Sequence, residues 1–283
     1  MKTIVITGAT SGIGLEAARL LAGEGYRIVG IGRSAERCHK AKETVLASHP
    51  QANVQFFVAD LMQQREVLRV AADIRAFIVG QGGEGLYALI NNAGCVRSWY
   101  MTTDEGYEQQ FALNYLSAFL LTHALFPLLK QAKGRVLFTG SGSHKQTKVR
   151  WDDLMFSRRY RPLMAYKQSK LLGMLLAAGI NEQRAISGVR AYVVDPGLVN
   201  TEIGNKETGG LVNFVWRFRK SSGVSPKVPA KTYAFLCNPA QEPQGLYYEL
   251  TREKRYSRQV TRENAMRLMA VSEKLCGVEF GKE

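Results

Sequence analysis

The chain has 283 residues, of which 46% are hydrophobic and 22% are charged, an ordinary composition for a soluble protein with a substantial core. No repeat, low-complexity run or linker rich in Pro, Gly and Ser divides it, so we predict one domain over residues 1–283. The net charge of +14 suggests an anionic partner such as a nucleotide, a nucleic acid or a membrane surface, and a nucleotide accounts for only a few of these charges.

The cysteines and the N-terminus indicate the compartment. Cys38, Cys95, Cys237 and Cys276 are far apart and lack metal-ligand spacing, so we interpret them as free thiols in a reducing compartment. The N-terminal MKTIVITGATSGIG has too short an apolar run for a signal peptide. No stretch approaches about 18 apolar residues, so we predict no membrane-spanning helix. We expect a cytoplasmic protein, with peripheral contact to a membrane as an open alternative.

Short apolar runs alternate with segments of helical periodicity along the chain. The predicted strands are Thr3 to Thr7, Arg27 to Ile31, Val54 to Val58, Tyr87 to Ile90, Arg135 to Phe138 and Val189 to Val194. The predicted helices are Ile13 to Ala22, Ala35 to Ser48, Gln63 to Val79, Gly106 to Gln131 and Ala165 to Glu182. Alternating strands and helices indicate an α/β fold, a doubly wound parallel sheet with helices on both faces. Ligands of such folds bind beyond the carboxyl ends of the strands.

The segment after the first predicted strand is rich in glycine and leads directly into a helix. It reads TGATSGIG over residues 7 to 14. Glycines let the backbone turn tightly and approach a pyrophosphate at the N-terminus of the next helix. A glycine-rich turn without a ligand is the alternative, but the position in a βαβ unit favours a dinucleotide. The candidate contacts are Gly8, Thr10, Ser11, Gly12, Ile13 and Gly14.

The ends of the second and third predicted strands bear on the choice of cofactor. A carboxylate at the second strand end would bind the ribose 2′-hydroxyl and select NAD. The sequence there is Gly32-Arg33-Ser34, and Arg33 is suited to the 2′-phosphate of NADP. We therefore predict NADP(H) as the preferred cofactor, with NAD(H) as the alternative. Asp60 and Leu61 are candidate contacts for adenine, although a helix N-cap explains Asp60 equally well.

The next three strand ends carry small, polar or rigid residues. Asn92, Ala93 and Gly94 would permit close approach of a cofactor, and a plain turn is the alternative reading of this segment. Ser141 could hold a substrate oxygen, with Ser143 and His144 as competitors. Asp195-Pro196-Gly197 predicts a rigid bend beside a flat ring. The further candidate cofactor contacts beyond this bend are Val199 and Thr201.

The segment MAYKQSKL at residues 164 to 171 places a tyrosine four positions before a lysine. On a helix, Tyr166 and Lys170 would therefore lie on one face. A nearby positive charge favours phenolate and lowers the pKa of a tyrosine from about 10, which makes it a general acid or base near neutral pH. An accidental pair on a solvated helix is the alternative, since such a spacing arises by chance.

Taken together, these pieces resemble the short-chain dehydrogenase/reductase family over nearly the whole chain. The matching pieces are TGATSGIG at 7 to 14, NNAG at 91 to 94, Asn114, Ser141, YKQSK at 166 to 170 and DPG at 195 to 197. Within the family the chain is most similar to the retinol dehydrogenase-like branch. That branch also has a long gap between the serine and tyrosine motifs and a C-terminal helix like MRLMAVSEKLCG at 266 to 277.

The resemblance implies a mechanism for hydride transfer between a nicotinamide and a substrate carbon. Tyr166 would give or take the proton at the substrate oxygen, and Lys170 would lower its pKa and bind the nicotinamide ribose. Ser141 would donate a hydrogen bond to the same oxygen. Asn114 would hold a water in a proton relay to Lys170. The chain departs from many members in Thr-Gly-Ser at the serine motif and in Ser11, where some NADP-dependent members have a basic residue.

The resemblance also implies that the segment after the sixth strand closes the substrate pocket. Here this segment is 198–223 and contains LVNFVWRFRK, which mixes apolar and basic residues. A mobile lid, an interfacial helix on anionic lipid and a helix packed on the core are all consistent with it. Residues 259–283 are the expected C-terminal helical extension. Aromatic and apolar residues in loops near the strand ends suggest a lipophilic or aromatic alcohol or ketone: Val96, Trp99, Tyr100, Trp151 and Tyr160.

Three other functions compete with an NADP-dependent alcohol dehydrogenase or carbonyl reductase. A non-catalytic nucleotide-sensing or interaction protein could retain the same fold. A reductase of carbon–carbon double bonds would use the same cofactor. Basic residues cluster at 145–161 and 252–262, but no nucleic-acid motif accompanies them, so we do not expect a nucleic-acid partner. A homo-oligomer is consistent with the family resemblance.

Overall fold

The computed structural model describes residues 1–82, 84–199 and 223–280. Within these ranges one sheet has the strand order β3-β2-β1-β4-β5-β6-β7-β8. All neighbouring strands run parallel except the last pair, β7 and β8, which is antiparallel. The strands are β1 Thr3–Thr7, β2 Arg27–Gly32, β3 Val54–Val58, β4 Ala88–Asn91, β5 Arg135–Thr139, β6 Arg190–Asp195, β7 Tyr247–Glu249 and β8 Arg252–Glu253.

Helices cover both faces of this sheet. One face carries α3, α4, α5 and α8 on a core that includes Val5 and Val136, and the other carries α1, α2 and α7 on a core that includes Ile4 and Ile6. Consecutive residues of β1 thus point to opposite cores, as the pleat of a strand requires. The helices are α1 Gly12–Gly23, α2 Ala35–Ser48, α3 Gln64–Gly80, α4 Gln109–Gln131, α5 Pro162–Glu182, the short α6 Arg184–Ser187, α7 Lys227–Cys237 and α8 Arg262–Cys276.

The predicted α/β fold, doubly wound with a parallel sheet, is confirmed, and the six predicted strands are all present. The sequence reading missed β7 and β8 because they are too short to carry a periodic pattern, and it also missed the helices α6 and α7. It also began α4 at Gly106, where the structure begins it at Gln109. Residues 200–222, and with them most of the predicted lid and Thr201, lie outside the described residues.

The long helix α4 corrects one prediction. It spans 23 residues and is long and apolar enough to cross a membrane by length and composition, contrary to our expectation that no stretch would be. However, 72% of its most apolar window is buried inside the fold. Its apolar side chains belong to the core shared with α3 and α5. Burial on this scale is typical of the core helix of a globular fold.

The C-terminal helix α8 packs on α5 and closes the same core. Thr261 caps its first turn by accepting a hydrogen bond from the Asn264 N–H at 3.2 Å. Beyond the helix, Phe280 is buried against Phe119 and Phe126 of α4. The predicted C-terminal helix is thus present, starting at Arg262.

Candidate active site

A cavity of about 1360 Å³ lies at the carboxyl ends of the parallel strands. Most of the predicted site residues line it, although they come from seven separate stretches of the chain. Gly14 and Asn114 lie just behind its wall rather than on it. The predicted residues on the wall are Gly8, Thr10, Ser11, Gly12, Ile13, Arg33, Asp60, Leu61, Asn92, Ala93, Gly94, Ser141, Tyr166, Lys170, Pro196, Gly197 and Val199.

The glycine-rich turn between β1 and α1 needs its glycines for two different reasons. Gly8 and Gly12 have φ of +64° and +55°, a left-handed conformation that costs other residues energy. Gly14 is needed for space, because a Cβ there would lie 2.4 Å from the Gly8 carbonyl oxygen and 2.6 Å from Asn92 Nδ2. Ser11 makes no side-chain capping bond at the start of α1, so the first N–H groups of this helix are available to an anion.

Asn92 fastens this turn to the neighbouring strand ends. Its backbone N–H and that of Ala93 each donate to Thr7 Oγ1 at 2.9 Å. Its side-chain Nδ2 donates to the Thr7 carbonyl at 3.1 Å, and its Oδ1 accepts from Thr139 Oγ1 at 3.3 Å. The Asn92 side chain therefore joins the ends of β1 and β5 across β4, a role that the sequence reading of a small, permissive turn did not include.

The end of β2 is cationic and open to solvent. Arg33 and Arg37 are both exposed, and both line the cavity. Ser34 caps α2 by accepting from the Arg37 N–H at 3.3 Å, which sets the direction of this first turn. Arg37 was missed from the sequence, although its position four residues after Arg33 in a first helical turn was a usable signal. Two guanidinium groups at this place suit a phosphate.

Asp60 does not cap α3, because the N-cap of that helix is Gln63. Asp60 Oδ1 instead accepts from the Met62 N–H at 3.1 Å, an Asx turn that holds the loop after β3. The side chain of Asp60 still lines the cavity beside Leu61. One of the two alternatives for Asp60 is thereby removed, and adenine contact stays a prediction.

Tyr166 and Lys170 lie on the same face of α5, and both border the cavity. Lys170 Nζ lies 5.6 Å from the centroid of the Tyr166 ring and donates to the Thr139 carbonyl at 2.9 Å. The lysine side chain is only 5% exposed. Burial lowers the pKa of Lys170 to about 8, against the smaller opposing effects of Cys95 and Asp195. Lys170 therefore changes charge close to neutral pH.

Asn114 lies in a π-helical turn, Ala112–Leu116, inside α4. Its side chain accepts from the Cys95 N–H at 2.7 Å and donates to the Cys95 carbonyl at 2.9 Å and to Ser169 Oγ at 3.0 Å. Such turns are frequent at functional sites because they displace one side chain from the helical register. A void of about 10 Å³ lies between Asn114 and Lys170. This is close to the space that one water molecule requires.

The serine segment after β5 contains two hydroxyls on the cavity wall. Ser141 Oγ accepts from Ser143 Oγ at 3.0 Å and from the Ser143 N–H at 3.3 Å. Ser143 therefore donates to Ser141, and the proton of Ser141 is left to point elsewhere. The third competitor, His144, is fully buried and does not line the cavity. Its ring Nδ1 lies 2.7 Å from the Ser141 carbonyl oxygen.

The predicted bend after β6 is held from behind by a carboxylate. Asp195 Oδ1 accepts from the Gly197 N–H at 2.9 Å, and Gly197 has φ of +68°. The other carboxylate oxygen accepts a short hydrogen bond from the hydroxyl of Tyr247 on β7. The bend that borders the cavity is therefore fixed by a strand that the sequence reading had missed.

The five aromatic and apolar residues expected around the substrate, Val96 among them, are placed differently. None of the five is among the described residues that line the cavity, whose aliphatic lining includes Leu113, Leu163 and Leu198. Tyr160 donates to Glu108 Oε1 at 2.8 Å and stacks edge-on against Tyr100, while Trp151 packs under Arg267. Arg97, only 3% exposed, also borders the cavity.

Comparison with known proteins gives the same picture from an independent direction. A family model described as short chain dehydrogenase matches residues 2–210. Human retinol dehydrogenase 13 is 32% identical over 290 residues, covering 98% of this chain and 85% of the relative. Mouse retinol dehydrogenase 12 is 32% identical over 283 residues, covering 99% and 87%. Human polyprenol dehydrogenase is 32% identical over 209 residues, covering 71% and 62%.

Solved structures share the fold over most of the chain. An uncharacterized protein from Mycobacterium paratuberculosis matches with a TM-score of 0.76 and 27% identity, covering 100% of this chain and 96% of that one. An alcohol dehydrogenase from the archaeon Thermococcus sibiricus, complexed with 5-hydroxy-NADP, matches with a TM-score of 0.66 and 22% identity, covering 90% and 100%. At that identity the second match bears on the fold alone.

Proposed function

The chain belongs to the short-chain dehydrogenase family, and from that premise we propose that it is an NADP(H)-dependent oxidoreductase of lipophilic alcohols and carbonyl compounds. Family membership makes it an oxidoreductase acting on CH–OH and C=O groups. The observation that supports the specific proposal best is the meeting of Tyr166, Lys170 and Ser141 with the glycine-rich turn on one cavity.

The cavity suits a dinucleotide with an additional phosphate. The glycine-rich turn leaves a cradle that a Cβ at Gly14 would obstruct, and the uncapped start of α1 favours negative charge. Arg33 and Arg37 at the end of β2 favour the 2′-phosphate of NADP(H) over the bare 2′-hydroxyl of NAD(H). In this proposal Asp60 and Leu61 border the adenine, and Pro196, Gly197 and Val199 border the nicotinamide.

The residues of the chain handle the substrate oxygen and its proton. The nicotinamide, when bound, supplies or accepts the hydride at the substrate carbon. Tyr166 donates the proton to the oxygen in reduction and accepts it in oxidation, and the Lys170 ammonium favours the phenolate form of Tyr166 by its charge. Ser141 can donate to the same oxygen because its own oxygen already accepts from Ser143.

A proton path behind Tyr166 is consistent with the surroundings of Lys170. The lysine, with a pKa of about 8, can hold or release a proton at neutral pH. The void of about 10 Å³ beside it is bordered by Asn114, Thr139 and Ser169, which offer polar partners for one water. The Nδ2 and Oδ1 atoms of Asn114 already make hydrogen bonds to Cys95 and Ser169. The main effect of this side chain is therefore to hold the turn after β4 in place.

The substrate proposal draws on the relatives and on the aliphatic lining near Tyr166. The similar proteins are named for retinol and polyprenol, which are long lipophilic alcohols. A substrate of that class partitions into membranes, and a chain with a net charge of +14 would be attracted to an anionic surface. We therefore extend the proposal to a cytoplasmic protein with peripheral membrane contact, while homo-oligomerisation stays a prediction.

The test is Tyr166→Phe assayed with NADPH and a panel of lipophilic aldehydes and ketones. We expect kcat to fall by about 10³-fold, as for the loss of a general acid, with NADPH affinity unchanged in a fluorescence titration. Tyr256→Phe, which removes a hydroxyl from an exposed tyrosine, is the matched control and should keep full activity. Retained activity in Tyr166→Phe would disprove the mechanism.

Two results with wild-type protein would favour the competing functions. NADPH binding without turnover would favour a non-catalytic nucleotide-binding role, and turnover only of conjugated double bonds would favour an ene reductase.

A further inference from the structure

His144 is a fully buried histidine directly behind the serine segment, and it takes no part in the proposed transfer of hydride and proton. It lies in a 3₁₀ turn, Gly142–Gln146, that follows Ser141. Its Nδ1 is 2.7 Å from the Ser141 carbonyl oxygen, and its Nε2 is 3.3 Å from the backbone nitrogen of Ser257. Both ring nitrogens are therefore engaged, one toward the cavity and one toward the C-terminal part of the chain.

These two partners assign the tautomer of His144. A carbonyl oxygen only accepts, so Nδ1 carries a proton that it donates to Ser141. A backbone N–H only donates, so Nε2 carries no proton and accepts from Ser257. The neutral ring with its proton on Nδ1 satisfies both bonds. The charged ring would place an N–H at Nε2 against the N–H of Ser257.

The ring also connects the serine segment to the bend that borders the nicotinamide side of the cavity. It packs edge-to-face on Tyr247, with centroids 4.8 Å apart and planes at 71°. The hydroxyl of Tyr247 donates to Asp195, and the Asp195 carboxylate holds the N–H of Gly197. Ser141 and Gly197, which both line the cavity, are thus linked through one contiguous set of side chains.

We propose that neutral His144, protonated on Nδ1, is a positioning residue that fixes the Ser141 backbone and thereby aims the Ser141 hydroxyl at the substrate oxygen. The inference rests on the proposed function, because it gives Ser141 its role. His144 touches neither substrate nor cofactor in this proposal, since it does not line the cavity. Its effect on the rate is transmitted through the carbonyl of Ser141.

The charges around the ring favour the neutral form. Burial lowers the pKa of His144, and neighbouring Lys145 lowers it further. The Ser141 carbonyl and the Asp195 carboxylate act in the opposite direction. Tyr247 faces the ring uncharged, because burial and Asp195 raise the pKa of its hydroxyl. The ring is therefore neutral at physiological pH and gains its charge only in acid, where it loses the bond from Ser257.

A matched pair of substitutions separates a role through Ser141 from a merely structural one. His144→Asn places an amide N–H where Nδ1 donates, so it can keep the bond to Ser141 and lose the bond from Ser257. His144→Gln places an amide oxygen where Nε2 accepts, so it can keep the bond from Ser257 and lose the bond to Ser141. Each variant sacrifices one hydrogen bond, and their thermal unfolding midpoints should fall by similar amounts.

The two variants should differ in turnover and agree in binding. In carbonyl reduction with NADPH, we expect kcat of His144→Gln to fall about tenfold and that of His144→Asn to stay within about threefold of wild type, the effect of one hydrogen bond. NADPH affinity should be unchanged in both. Equal kcat for the two variants, with wild-type turnover present, overturns this inference and leaves the proposed function intact. No turnover by wild-type protein overturns both.

Discussion

Two regions of the cavity edge differ in how far their functional side chains are removed from solvent. Near the ends of β4, β5 and β6, Lys170 is buried, Asn114 and Ser141 are half-buried, and all three make hydrogen bonds within the fold. At the end of β2, Arg33 and Arg37 are exposed to solvent. A buried polar group acts from a fixed position in a low-dielectric environment, whereas an exposed charge acts through a screened field.

This difference predicts how each half tolerates change. In the catalytic half, at the ends of β4, β5 and β6, a substitution should alter turnover strongly, because no other group can take the same position. In the cofactor-selecting half, at the end of β2, a substitution should alter the affinity for NADPH modestly and in a salt-dependent manner.

The largest effect should come from Lys170→Met. Removing the Lys170 ammonium, which lies on the same helical face as Tyr166, disfavours phenolate, so we expect kcat to fall by about 10²–10³-fold. Lys231→Met, which makes the same chemical change at an exposed position of α7, should leave kcat unchanged. Turnover is measured with saturating NADPH to separate kcat from cofactor binding. A loss below about fivefold would remove Lys170 from the mechanism.

The same substitution should change how stability depends on pH. The pKa of Lys170 is about 8 in the folded protein and 10.5 when unperturbed, so the unfolded chain binds more protons between these values. Wild-type protein should therefore gain stability as the pH rises from 8 to 10.5, by about 1 kcal/mol per pH unit from this group. In Lys170→Met that gain should be absent in urea unfolding at pH 8 and pH 10. Parallel pH dependence in both proteins would show that folding does not lower the pKa of Lys170.

Gly14→Ala tests the glycine-rich turn after β1, which lies between the cofactor-selecting half and the catalytic half. The added Cβ would lie 2.4 Å from the Gly8 carbonyl oxygen, so the glycine-rich turn must move. We expect NADPH affinity to fall by about ten- to a hundredfold and the unfolding free energy by about 1–3 kcal/mol. Gly80→Ala, at the end of α3, is the control and should bind normally, because its new Cβ would meet no heavy atom within 4 Å apart from the adjoining backbone of its own helix. Normal binding by Gly14→Ala would separate this glycine from the cofactor site.

Arg33→Ala should have the smallest effect and the clearest salt dependence. We expect NADPH to bind about tenfold more weakly and NADH to be unaffected, because only NADPH carries the 2′-phosphate. The tenfold ratio should shrink in about 0.5 M salt, since Arg33 is exposed and its charge is screened. Arg75→Ala, which removes an exposed arginine of α3 that does not border the cavity, should change neither affinity. Tighter binding of NADH by wild-type protein would contradict the cofactor assignment.

Most of the fold could be predicted because its signals are local. Apolar runs of strand length, separated by helices, specify βαβ units without knowledge of any distant contact. The failures have physical causes as well. β7 has three residues and β8 has two, and they are strands only because β6 offers an edge to pair with. The aromatic residues in the loops suggested a substrate pocket. In the structure, however, Tyr160 donates a hydrogen bond to Glu108 and the Trp151 ring packs against the Arg267 guanidinium.

The sequence by itself determined the parts of the site that depend on spacing along one element. The turn from β1 into α1, the arginine at the end of β2 and the four-residue step from Tyr166 to Lys170 are all of this kind. Only the tertiary structure decided the parts that depend on burial and on distant partners. The lowered pKa of Lys170 follows from its burial, and the bond between His144 and Ser257 joins residues 113 positions apart. Spacing is set by helix and strand geometry, whereas burial and long-range bonds exist only when the whole chain has packed.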